Sequence, residues 1–80
     1  MRLDKFLKVS RIIKRRTIAN EACDAGKVTV NGKVARASLE IKIGDKIEIT
    51  MGNKPFACEV IAVSEIVTKE TAADNYRVIE

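Results

Sequence analysis

Eighty residues, 46% apolar and 32% charged, provide for one folded domain with one core and exclude a disordered chain. Apolar runs of a few residues fall far short of the roughly 20 that cross a bilayer. Arg2, Lys5 and Lys8 also interrupt the stretch where a signal peptide would be apolar, so no membrane partner and a cytoplasmic location are expected. The net charge of +4 is unevenly placed. Through Arg36 ten basic residues face three acidic ones, a local +7, and from Ala37 onward five face eight, a local −3. A solvated face explains most charge runs. Yet Lys14-Arg15-Arg16, with no acid between Lys5 and Ala19, repel one another without local relief. Such a field suits a polyanion, of which nucleic acid is the commonest.

In chain order, Leu3, Phe6 and Leu7 recur at helical spacing, with Asp4 in the first turn where the helix dipole favours an anion. Arg2, Lys5, Lys8, Arg11 and Lys14 recur every third position, a step that falls about 60° short of a full turn. Five such side chains wind around a straight helix, so convergence on one ligand predicts a bend between Ser10 and Arg16. A second helix is expected from about Thr17, a suitable N-cap, with Ile18, Ala22 and Ala25 as its apolar stripe and Gly26 as its stop. Arg15 and Arg16 then stand at its N-terminal end. The dipole disfavours cations there, and a phosphate held by both arginines and the free backbone N–H groups would account for them.

From Lys27 the period becomes two. Val28 and Val30 lead into Asn31-Gly32, a strong hairpin signal, and Lys33 to Arg36 return as the partner strand. Gly44-Asp45 turn into the alternating strand Lys46 to Thr50. Residues Gly52 to Pro55 turn again into Phe56 to Val63, an apolar run suited to a central strand. Lys69 to Asn75 read as a loop or one helical turn, and Tyr76 to Ile79 as a closing strand. The expected fold is α+β, two N-terminal helices on a small, mostly antiparallel sheet, in a single domain spanning 1–80.

Cys23 and Cys58 stand far apart in a chain without histidine, which leaves too few ligands for structural zinc. Two buried thiols are the expected state rather than a disulfide. No metal constellation, phosphate-cradling glycine loop or nucleophile motif is visible, so neither an enzyme nor a cofactor is expected. Phe6 and Phe56 read as core residues. With only Phe6, Phe56 and Tyr76 as aromatics, a sheet of stacking platforms is out of reach, and recognition should rest on shape and phosphate geometry.

Three features occur in one order: Arg2-Leu3-Asp4-Lys5-Phe6-Leu7, then Arg15-Arg16-Thr17-Ile18-Ala19, then Gly26-Lys27-Val28-Thr29-Val30-Asn31-Gly32-Lys33, followed by the Gly44-Asp45 turn. This pattern resembles the S4 RNA-binding domain over about the first fifty residues. The whole opening through Arg11, the Lys14 to Thr17 run and the Lys69 to Tyr76 tail resemble the stand-alone S4-domain proteins of bacterial ribosome quality control, which are related to heat-shock-induced ribosome-binding proteins. The resemblance implies binding to large-subunit rRNA and to the peptidyl-tRNA of a split, stalled ribosome. It also implies support for a factor of the RqcH type that adds alanine to the stranded chain. The protein itself is expected to be a monomer. The sequence stops at Glu80, short of the basic extension carried by some heat-shock relatives, so no contact from such an extension is carried over.

By position, the resemblance makes Arg2, Lys5, Lys8, Arg11, Arg15 and Arg16 phosphate contacts, the arginines foremost because they clamp phosphate through two donors. Lys14 and Lys33 are further candidates, each weighed against a plain solvated cation. Asp4 either stabilises its helix start, orients Arg2 or accepts a ribose 2′-hydroxyl, and Thr17 reads first as a cap. The rival readings are a ribosome-biogenesis or heat-shock rRNA binder, an RNA-modifying enzyme, a helix-turn-helix DNA binder and a membrane-surface helix.

Overall fold

A computed structural model describes residues 1–51, 54–64 and 71–79. The first helix, α1 (Leu3–Val9), buries Leu3, Phe6 and Leu7 completely. Seven residues are too few to hold a helix in isolation. Here its stability comes from burial, roughly 1.5–3 kcal/mol for each large apolar side chain. Two of its N-terminal donors are satisfied from outside the helix, and a third by a side chain of its own first turn. Leu3 N–H donates to the Leu39 carbonyl at 2.8 Å and Asp4 N–H to the Ala37 carbonyl at 3.1 Å. Lys5 N–H donates to Asp4 Oδ1 at 2.8 Å. The loop over residues 37–39 thus does the work of a capping side chain and anchors Arg2, which makes a single antiparallel bridge to Glu40.

The bend falls in the expected interval. At the end of α1, Arg11 N–H donates to the Lys8 carbonyl at 3.1 Å and Ile12 N–H to the Leu7 carbonyl at 3.0 Å. These are the paired bonds of a Schellman termination, with Arg11 at φ 58° in the left-handed position. The second helix, α2 (Arg16–Asp24), ends the same way: Gly26 N–H reaches the Cys23 carbonyl and Lys27 N–H the Ala22 carbonyl, both at 3.0 Å. There the left-handed residue is Gly26, φ 74°, which has no Cβ to strain.

Two expectations for α2 need correction. Arg15, not Thr17, occupies the N-cap position and supplies no side-chain cap; Thr17 lies one residue inside the helix. The buried stripe is Ala19, Ala22 and Cys23, whereas Ile18 is 38% exposed and Ala25 is exposed. Small side chains on this face let α2 approach its neighbours closely, and Ile18 there would hold it away. The rotation also turns the Arg16–Asn20 row toward α1.

Five strands follow: β1 (Val28–Val30), β2 (Lys33–Val34), β3 (Lys46–Met51), β4 (Lys54–Val60) and β5 (Tyr76–Val78). They form one sheet in the order β2-β1-β3-β4-β5 with every pairing antiparallel. The β1–β2 turn places Asn31 at φ 54° and Gly32 at φ 84°, the two positive values that a type I′ turn requires. β2 is shorter than expected, although Ala35 N–H still bonds the Val28 carbonyl at 3.0 Å. The centre of the sheet is β3, whose Ile47 and Ile49 point into the core while Lys46, Glu48 and Thr50 face solvent. β4 stops at Val60 rather than Val63, because Ile61 and Ala62 N–H turn to the Asn75 carbonyl at 3.0 and 3.2 Å. A 3₁₀ turn over Ala72–Asn75 leads into β5. Of the expected turn over Gly52 to Pro55, Lys54 and Pro55 belong instead to β4, paired with Met51 and Thr50, so the strand starts two residues early; residues 52–53 and 65–70 lie outside the described residues.

The core joins Leu3, Phe6, Leu7 and Ile13 to Ala19, Ala22, Val28, Ile47, Ile49, Cys58 and Val60. Cys23 and Cys58 are free and buried within it. Burial pushes both thiols up to about 11, aided at Cys23 by the charges of Asp4 and Asp24.

Candidate nucleic-acid interface

Asp4 is a carboxylate taken out of water, only 3% exposed. Burying an ionised carboxylate is costly unless it is paired and hydrogen-bonded, and this one is. Arg16 donates through Nε to Oδ2 at 3.2 Å and through Nη2 to Oδ1 at 3.5 Å. Asn20 Nδ2 donates to Oδ2 at 3.4 Å, Arg2 Nε lies 3.3 Å from Oδ1, and the Lys5 N–H is the fourth partner. Burial by itself would raise the carboxyl, but the bonds from Arg16, Asn20 and Lys5 N–H, with the Arg16 charge, hold it below its ordinary value of 3.8.

One buried anion on α1 therefore gathers two arginines separated by fourteen positions in the chain. It fixes one side of each guanidinium and leaves the rest open: the Arg2 side chain is 49% exposed and that of Arg16 45%. The puzzle of a cation at the start of α2 is partly answered within the chain. That first turn holds no acid of its own, and Asp4 supplies the negative charge from the neighbouring helix.

The other candidates fall into two groups. Lys8, Arg11, Lys14 and Arg15 are exposed along the end of α1 and the turn into α2, and none forms an ion pair with a described residue. Lys5 is half-buried beside them. Lys33 lies apart on β2, the edge strand, where it borders an open depression of about 830 Å³ shared with Arg36 and Lys42. Arg36 also borders a second depression of about 520 Å³, which contains Arg2 and Asn20. It thus links the Lys33 side to the arginine pair.

Sequence reasoning passed over Asn20 and Arg36 as site residues. Asn20 was findable, since it stands four residues after Arg16 and so on the same helix face. Arg36 appears in the charge count, but its placement opposite Arg2 depends on how the 37–39 loop folds back over α1.

A helix pair that presents arginines beside a small antiparallel sheet is the arrangement of an S4 domain. The S4 domain family model matches residues 1–47, and the chain belongs to that family. Among proteins of known role, it is 54% identical over 78 residues to the RQC P-site tRNA stabilizing factor of Halalkalibacterium halodurans, covering 98% of this chain and 89% of the relative. The factor of the same name from Bacillus subtilis is 45% identical over 80 residues, covering 100% of this chain and 93% of that one. Heat shock protein 15 of Vibrio cholerae, solved as a trimer, matches with a TM-score of 0.91 and 30% identity over 99% of this chain and 81% of its own.

Proposed function

We propose that this protein is a non-catalytic RNA-binding factor of ribosome quality control, which holds the P-site tRNA on the large ribosomal subunit through its basic helix pair. The observation that carries the reading is the Asp4 centre, which orients Arg2 and Arg16 while about half of each side chain stays open to a ligand. Ordering the guanidiniums before binding lowers the entropy lost when they meet phosphates. Arg15, Lys8 and Lys14 extend the charge along the bend. At the start of α2, the N–H groups of Arg16, Thr17 and Ile18 precede the first helical bond, Ala19 N–H to the Arg15 carbonyl, and can add donors to a phosphate held there. Asp4, with both oxygens engaged, acts as the positioning residue of this surface rather than as a ribose contact.

The finer reading is that the protein contacts both large-subunit rRNA and peptidyl-tRNA. In that reading it supports a tailing factor of the RqcH type during alanine addition in the cytoplasm, acting as a monomer. The identity to the two P-site factors over nearly the full length supports the tRNA and quality-control part of this reading, while the trimer of heat shock protein 15 stands against the monomer. The fold shared with heat shock protein 15 favours a second reading, a heat-shock or biogenesis factor bound to rRNA. Sedimentation of the tagged protein from cells separates them. Recovery with free large subunits that carry peptidyl-tRNA supports the quality-control reading, and recovery with immature subunits overturns it in favour of the second. Tighter binding to duplex DNA than to ribosomal subunits at matched salt would overturn both.

A further inference from the structure

The turn that brings α2 back against α1 carries a bulky residue where a glycine would serve the backbone better. Arg11 occupies the left-handed position after α1, φ 58°, where glycine is the usual residue because a Cβ is strained there. Its two flanking backbone bonds, Arg11 N–H to Lys8 and Ile12 N–H to Leu7, fix where the side chain leaves the chain. That place is the rim of a cleft of about 430 Å³, formed with Ile12, Ile13, Ile49, Phe56 and Tyr76. Phe56 and Tyr76 are half-buried and meet edge to face, ring centroids 6.0 Å apart at 69°.

We propose that this cleft receives one unpaired nucleobase of the bound RNA, with Arg11 on the adjoining phosphate, an inference that rests on the RNA-binding reading above. Its walls are aliphatic and aromatic, as the π-face of any base needs. Its volume lies within the roughly 300–1,000 Å³ range of small-molecule pockets, room enough for one base. Among the described residues that line it, the one that is charged is the cation Arg11, which stands three residues before the exposed Lys14 and Arg15. An apolar side chain of a protein partner would suit the walls but leave the cation unanswered, whereas a nucleotide answers both. Phe6 is wholly buried, so the cleft takes a single base and not the row of bases that a broad aromatic sheet would stack.

The test compares two RNAs on the full chain at low salt: a stem–loop with 2-aminopurine at an unpaired loop position, and a blunt duplex of the same stem. Wild type should prefer the stem–loop by about ten-fold, the scale of one stacked base. The fluorophore should be quenched, and the methyl resonances of Ile12 and Ile49 should shift. Tyr76→Leu and Arg11→Gly should each bring the two affinities close to equal, and the glycine variant removes the cation at a position whose backbone glycine suits. Equal affinity of wild type for both RNAs, without methyl shifts, overturns the cleft proposal while leaving RNA binding intact. Failure to bind either RNA overturns the RNA-binding reading, and the cleft proposal with it.

Discussion

Removing the Arg16 side chain should weaken both the fold and the grip on RNA, and the structure sets the size of the first effect. Arg16→Ala deletes two donors from a carboxylate that stays buried. Hydrogen bonds to charged groups contribute about 1.5–3 kcal/mol each. One of these is long, Arg16 is nearly half exposed, and Asp4 keeps Arg2, Asn20 and the Lys5 N–H, so a loss of about 2 kcal/mol is expected. For a domain of this length, that lowers Tm by roughly 8–16 °C. The loss should also depend on pH. Because the folded pKa of Asp4 lies below 3.8, its stabilisation is fully present above that value and fades as pH falls through the lower folded value. The Tm gap between wild type and Arg16→Ala should therefore hold through the neutral and mildly acidic range and close in strong acid. Thermal melts across pH, with the cycle Asp4→Asn, Arg16→Gln and the double variant, provide the assay. A coupling of about 1–2 kcal/mol is expected. An Arg16→Ala melt indistinguishable from wild type, or additive effects in the cycle, would refute the claim that Asp4 organises this surface.

Arg11→Gly should raise stability by about 1 kcal/mol, read by chemical denaturation, because it relieves the left-handed Cβ, and should weaken RNA binding. Arg15→Ala, which deletes a side chain with no ion pair among the described residues, should leave the melt unchanged and reduce the slope of log affinity against log salt by about 1. Gly32→Ala should destabilise the β1–β2 hairpin by about 1 kcal/mol in the same denaturation assay, since φ 84° suits glycine alone. Cys23 and Cys58, buried with thiols pushed up to about 11, should resist alkylation at neutral pH until the chain unfolds, as mass spectrometry with and without denaturant would show.

What the sequence made legible follows from where local chemistry decides the outcome. Asn31-Gly32, Gly26 and the alternation of Ile47 with Ile49 dictate turns and a strand with little help from the rest of the chain. Cations spaced by three can converge on one ligand only if the chain bends between Ser10 and Arg16, and a bend is found there. The i, i+4, i+7 spacing places Ala22 on the buried face of α2 but puts Ile18 and Ala25 there as well, because spacing alone does not weigh side-chain size. Ile18 is the more apolar residue, but Ala19, Ala22 and Cys23 allow the closer approach. Thr17 suits a cap by residue type, yet the N-cap falls two residues earlier, with the chain extended at Arg15. The Asp4 centre was only half visible. Its pairing with Arg2 is local, whereas its pairing with Arg16 and Asn20 requires the bend to bring α2 back against α1. The end of β4 depends on the bond from Ile61 to the distant Asn75 carbonyl, which no local pattern encodes.

Equilibrium binding of purified large ribosomal subunits, with and without a P-site tRNA, tests the central claim most directly. Wild type should bind the tRNA-bearing subunits more tightly. Arg2→Gln with Arg15→Gln should abolish most of that binding, while Lys27→Gln with Lys46→Gln, an equal loss of exposed charge away from the helix bend, should leave it nearly intact. Equal losses from the two charge-matched pairs would mean that net charge, and not an arginine surface ordered around Asp4, accounts for the binding.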